Sequence, residues 1–224
     1  MALILKKKAS VPPLPEDIYL GVCYAVIDIG MQYEQFQGKS AKLKHKIMLI
    51  WEITGEEIEI DGKKEPRVIS NEYTFSFEDK ANLKKLIDSW FGKDSYSEEN
   101  GFDIKNFLGK PCQLEITVND KDYNRIANIM RLARGQTAHE PKELLYYEIG
   151  DESTHDVFDK IPEWIRDKIK KSVDFENIVD IPDNNGESHS AILPPAAMPL
   201  SPLVNEGGLK EKTNKKSKTE EVPF

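Results

Sequence analysis

The sequence predicts a mainly β fold with a small helical complement. Three observations carry this. Residues 19–29 form a β-rich apolar run, residues 42–53 sort their apolar side chains by strand parity, and Asp61-Gly62 signals a turn. A helical period interrupts the pattern at residues 83–91. Two-residue alternation then resumes at Cys112. Period two places side chains on opposite faces of a strand, and period 3.6 places them on one face of a helix.

Residues 1–16 contain Pro12, Pro13 and Pro15 and read as an extended N-terminal segment. Residues 19–29 form a continuous β-rich apolar stretch, expected to be a long and largely buried first strand. A polar loop with Tyr33, Phe36 and Lys39 follows. In the second strand, over residues 42–53, Leu43, Ile47, Leu49, Trp51 and Ile53 share one parity. Lys42, Lys44 and Lys46 share the other, with Met48, Ile50 and Glu52. Asp61-Gly62 is a hairpin signal, and a third strand is expected over residues 67–77.

Leu83, Leu86, Ile87, Trp90 and Phe91 then line one helix face. Ser76 and Asp79 precede it at capping-box-like spacing, and Gly92 supplies a stop. Residues 102–108 read as a short helical turn ended by Gly109 and Pro111. Cys112, Leu114, Ile116 and Val118 make the fourth strand, residues 119–122 a turn and residues 123–132 the fifth. Residues 144–149 read as one more short strand. Residues 162–171 read as a helix with Trp164, Ile165 and Ile169 on one face.

Three strands, a helix and two strands is the element order of an OB-fold, a five-stranded Greek-key β-barrel with its helix between strands three and four. The loops expected to flank its binding face are residues 33–39 and 119–123. The chain thus divides into an N-terminal segment (1–16), an OB-fold DNA-binding domain (17–135) and an α/β extension packed on or near the barrel (136–180). A linker of disordered composition (181–218) and a short acidic tip (219–224) complete it.

Composition narrows the function. The 224 residues carry a net charge of -8 and a pI near 5.2, which argues against a nonspecific polycation but leaves room for a local basic stripe. Cys23 and Cys112 lie in apolar runs and belong to no CxxC pair, so they read as buried hydrophobes. The sequence lacks a phosphate-binding GxxxxGK[ST] motif and an HExxH, and His45, His139, His155 and His189 are scattered. No metal, cofactor or catalytic group is expected. A nuclease site from Asp28, Asp120, Asp122 and Asp151 is remote, since their neighbours are turn-like. The N-terminus does not have the order of a signal peptide and no run is long enough to span a bilayer, so a cytoplasmic location is expected.

Single-stranded nucleic acid is held by a basic groove for phosphates and aromatic platforms for bases. Phosphate candidates are Lys39, Lys42, Lys44, Lys46, Lys121, Arg125, Arg131 and Arg134. Stacking candidates are Tyr33, Phe36, Tyr73, Phe75 and Tyr123. Tyr73, Phe75 and Phe77 share a strand parity and serve either as platforms or as core. The lysine row is either a phosphate track or a solvated face. Trp51, on the apolar parity, reads as core.

The final residues, Glu220, Glu221, Val222, Pro223 and Phe224, resemble the tip of bacterial single-stranded DNA-binding proteins, an acidic run followed by Ile/Leu-Pro-Phe. Here the acids are two, Val stands for Ile or Leu, and a basic stretch lies upstream. That resemblance implies docking on replication, recombination and repair proteins. Phe224 would enter an apolar pocket while its carboxylate meets a basic group, and the glutamates would steer. The stretches from Asn71 to Phe77, Asn82 to Gly92 and Phe102 to Cys112 resemble phage-encoded replication-module proteins with an OB-fold. The resemblance implies a single-stranded DNA-binding protein of phage or prophage replication or recombination in the bacterial cytoplasm. It would coat strands without strong sequence preference and recruit partners through its tip, with or without self-association. The alternative is an interaction module, an adaptor or inhibitor of a host replication or repair protein, that does not bind DNA.

Overall fold

The computed structural model describes residues 12–35, 40–60, 62–97 and 99–175. The chain divides into two units, Met1–Ile181 and Pro182–Phe224, and every described residue lies in the first. The expected linker and the tip, Glu220 to Phe224, lie outside the described residues.

The described residues form six strands: β1 (Asp17–Glu34), β2 (Lys42–Ile60), β3 (Lys63–Thr74), β4 (Pro111–Val118), β5 (Asn124–Met130) and β6 (Leu145–Tyr147). Two α-helices, α1 (Asn82–Trp90) and α2 (Glu163–Lys170), accompany them, together with 3-10 turns at Ile104–Phe107 and Glu152–Lys160. The sheet order is β3-β2-β1-β4-β5, antiparallel throughout, with β6 parallel to β1. β1 is the hub. One edge pairs β2 from Gly21 to Glu34, while the other pairs β4 over residues 17–22 and β6 over residues 25–27.

The sheet is open. β3 and β5, at the two ends of the path, come within 8 Å between Cα atoms but exchange no ladder bonds. α1 contacts both strands. Its Ser89 hydroxyl donates to the Ile129 carbonyl of β5 at 2.7 Å, engaging an edge group that a closing strand would otherwise compete for. The expected closed barrel is therefore met at a coarser level: a mainly β sheet with a helix between the third and fourth strands.

β1 and β2 are buried on both faces, which is why β1 reads as an unbroken apolar run. On one face Cys23, Val26, Leu49, Trp51, Ile53, Leu114, Ile116 and Ile129 pack against Leu83, Leu86, Ile87 and Trp90 of α1. On the other, Ala25, Ile27, Ile29, Met48 and Ile50 are covered by Leu145, Tyr147, Phe158, Ile165 and Ile169. A bulge between Cys23 and Ala25 shifts the alternation, so Cys23 and Val26 share a face. Met48 and Ile50, which follow Lys46 on its parity, thus belong to the second core.

Several boundaries differ from expectation. β2 runs on to Ile60, and the hairpin turns at Gly62 with a positive φ of 77°. β3 begins at Lys63 and ends at Thr74, so Phe75 and Phe77 leave the strand. After one further bond, from Phe75 N to His45 O at 2.8 Å, a tight Ser76 N to Thr74 O contact ends the pairing. The capping box does not form: Ala81 is the cap residue without a side-chain bond, and the Ser76 hydroxyl accepts from Glu78 N instead. On α2 only Ile165 and Ile169 face the core. Trp164 is 49% exposed, because adjacent helical positions are about 100° apart. Of the expected N-terminal segment only residues 12–16 are described, and they contribute Leu14 to the core, where Asn124 accepts from its N–H and donates to its carbonyl. Among the described residues no helix is long and apolar enough to cross a membrane.

Candidate functional site

Two groups of candidate binding residues sit at opposite ends of the 18-residue β1. At its far end, Tyr33 is exposed, and register places Glu34 against Lys42, Gln32 against Lys44 and Gly30 against Lys46. The lysines here are not equivalent. Lys42 is exposed and has no ion-pair partner among the described residues. Lys44 pairs with Glu34. Lys46 is only 7% exposed and sits 3.1 Å from Glu34 and 3.5 Å from Glu72. Hydrogen bonds from Lys44 and Lys46 hold the Glu34 carboxyl below the usual carboxylate range. Much of the lysine row's charge is thus neutralised internally. Phe36 and Lys39 lie outside the described residues.

Near the other end is the β4–β5 turn. Asn119 Oδ1 accepts from Lys121 N at 2.9 Å and Tyr123 N at 3.1 Å, and Asp122 takes a positive φ of 58°. This tight loop presents Tyr123, 67% exposed, between Lys121 and Arg125. Both basic side chains are exposed without an ion-pair partner among the described residues. Arg131 is exposed and donates to Phe91 O at 3.3 Å, and Arg134 is exposed. Tyr73 is not at the surface: it is 7% exposed in the core, and burial pushes its phenol up to about 12. Its strand neighbour two residues on, Phe75, is 45% exposed because it lies past the strand end. Trp51 is fully buried, as its parity predicts.

A cleft of about 310 Å³ lies beside Phe75, and no sequence motif marks it. Asp28 of β1 and His45 and Ile47 of β2 form one side. Phe102 and the 3-10 turn with Lys105 form another, and Tyr146 and Glu148 close it. His45 Nε2 lies 2.7 Å from Asp28 Oδ1, and the imidazole meets the Phe75 ring edge-on at 4.9 Å. The hydrogen bond to Asp28 raises the His45 pKa from its ordinary value. Tyr146 OH donates to Glu148 Oε2 at 2.6 Å, and the Lys105 ammonium stands 4.4 Å from the Tyr146 ring centre. Only one local signal pointed here: Asp28 is the one carboxylate between Ile18 and Tyr33 of β1, a strand buried on both faces.

The covering segment matters to any binding surface. Residues 136–175 lie across the outer side of β1 and β2, through the His139 contacts to Glu52 and Thr54, the β6–β1 pairing and the Lys168–Glu72 pair at 2.6 Å. Among the described residues no group of three or more His, Cys, Asp or Glu is placed to hold a metal ion. Both cysteines are free and buried, and burial pushes their thiols well above the ordinary range, which makes them unreactive. Comparison with protein-family models, curated proteins and solved structures gives no match.

Proposed function

We propose that the chain is a non-enzymatic single-stranded DNA-binding protein built on an OB-type sheet. The observation that carries this reading is the β4–β5 turn, where an exposed Tyr123 stands between Lys121 and Arg125, exposed basic side chains with no ion-pair partner among the described residues. Its support is the strand order. An OB barrel arranges its five strands as observed here from β3 to β5, with a helix between the third and fourth strands, and uses the loop between strands four and five as one wall of its groove.

An aromatic platform beside cations suits a flexible single strand, whose bases are free to stack and whose phosphates need only charge. The tip residues Glu220 to Phe224 serve as the contact for replication or recombination proteins, as their sequence resemblance implies. The setting is phage or prophage DNA metabolism in a bacterial cell. Fluorescence anisotropy of a labelled oligo-dT with the full chain tests the reading: binding that salt weakens supports it, and absence of binding at low salt rejects it.

One observation favours the second reading, an interaction module that does not bind DNA. Lys44 and Lys46 spend their charge on Glu34 and Glu72, which takes two of the three cations of the lysine row out of play in an acidic chain. The same titration separates the two.

A further inference from the structure

The cleft beside Phe75 combines features that neither end of β1 has. Its aromatic wall comes from three separate segments: Phe75 after β3, Phe102 before the 3-10 turn, and Tyr146 on β6. Its polar groups are three carboxylates, Asp28, Asp103 and Glu148, beside His45, Lys105 and the Tyr146 hydroxyl. Asp28 is committed, since its Oδ1 accepts from Gly30 N at 2.9 Å and from His45, and its Oδ2 faces Ile149 N at 3.4 Å. Glu148 is exposed, and one of its oxygens is used by Tyr146. Lys105 is the exposed cation at this cleft, held beside the Tyr146 ring.

This pattern selects a ligand chemistry. The volume is at the small end of the range for small-molecule sites, which starts at roughly 300 Å³. With Asp28 spent on His45, the exposed carboxylates Asp103 and Glu148 oppose entry phosphate first. A planar heterocycle can enter between the rings, with its amino group donating to the free oxygen of Glu148. Its backbone phosphate then falls to Lys105 at the rim.

We propose that this cleft binds a single unstacked nucleobase through its amino-bearing edge, favouring cytosine, adenine or guanine over thymine; the inference rests on the single-stranded DNA-binding reading above. A carboxylate accepts well from an exocyclic amine such as cytosine N4. Thymine has no such amine, and its N–H is flanked by two carbonyl oxygens that a carboxylate repels. Binding is then tolerant along most of the strand and selective at one position.

The test is anisotropy of labelled oligo-dC and oligo-dT of equal length with the full chain. The wild type is expected to bind oligo-dC about fivefold or more tighter than oligo-dT. Glu148→Ala brings that ratio towards one. The ratio is the readout, because loss of a negative charge raises both affinities. Phe75→Ala lowers affinity for oligo-dC about tenfold and Phe75→Tyr restores it, with folding checked by circular dichroism. Salt-dependent binding with equal affinities, unaltered by Phe75→Ala, overturns the pocket and leaves the coating role standing. Absence of binding to both oligonucleotides overturns the coating role. Cytidine and thymidine titrated into isotope-labelled protein then decide the pocket: amide shifts at Lys105 and Tyr146 with cytidine alone support it, and no shifts overturn it.

Discussion

His45 Nε2 and Asp28 Oδ1 lie 2.7 Å apart, joining β2 to β1 at the edge of the cleft. The hydrogen bond to Asp28 is the largest influence on the imidazole and raises its pKa above 6.5. The folded state therefore favours the protonated form. The stabilisation is complete below about pH 6.5 and is lost as pH rises through the raised folded value. An NMR titration of the His45 ring protons should show a midpoint above 6.5, and Asp28→Asn should lower it. A midpoint at or below 6.5 in the wild type contradicts the pairing.

The second core predicts what removal of the extension does. A chain ending at residue 135 uncovers Ala25, Ile27, Ile29, Met48 and Ile50 together. It should bind a hydrophobic dye and aggregate, while the full chain does neither. Within the intact chain, Ile165→Ala or Ile169→Ala should cost about 2–5 kcal/mol in denaturant unfolding, since both side chains are fully buried. A well-behaved, cooperatively folding chain of residues 1–135 is the contrary result.

Gly30 has a positive φ of 71°, and an added Cβ would meet Ile149 Cδ1 and Ser172 Cβ, each at 2.7 Å. Gly30→Ala combines backbone strain with a clash against two segments of the extension. It should destabilise the fold by about 2 kcal/mol or more, measured as a lower urea midpoint. An unchanged midpoint would mean that the extension does not pack there.

Lys46 and Tyr123 should separate stability from binding. Lys46→Ala leaves Glu34 and Glu72 without their shared cation and should cost about 1–2 kcal/mol of stability, with little effect on DNA affinity. Tyr123→Ala should do the reverse, weakening DNA binding by about 1–3 kcal/mol with an unchanged unfolding midpoint.

Much of the fold was legible because local pattern and tertiary environment agree. The alternation of Ile47, Leu49, Trp51 and Ile53 named a core face, and the spacing of Leu83, Leu86, Ile87 and Trp90 named a helix. What failed had long-range causes. Tyr73 and Phe75 share a parity in sequence, yet one is core and the other is at the cleft, because the strand ends between them. Lys46 looks like a free cation until Glu34 and Glu72 fold beside it. The cleft joins Asp28, Phe75, Phe102 and Glu148, a grouping that depends on β6 pairing with β1 and on no local motif.

The tip should act apart from DNA binding. A chain ending before Glu220 should bind oligonucleotides as tightly as the full chain or tighter, since it loses negative charges that compete for a basic surface. A large loss of affinity on that deletion contradicts a separate role in partner docking.

The most direct measurement is the salt dependence of oligo-dT binding, by anisotropy, for the wild type and for the double variant Lys121→Ala, Arg125→Ala. If the β4–β5 turn tracks the strand, the wild type binds and weakens steeply with salt. The variant then shows a log–log slope shallower by about 1.4, the release of two phosphate contacts at about 0.7 each on a single strand. An identical slope in both proteins, or no binding by the wild type at low salt, contradicts a single-stranded DNA-binding surface at this turn.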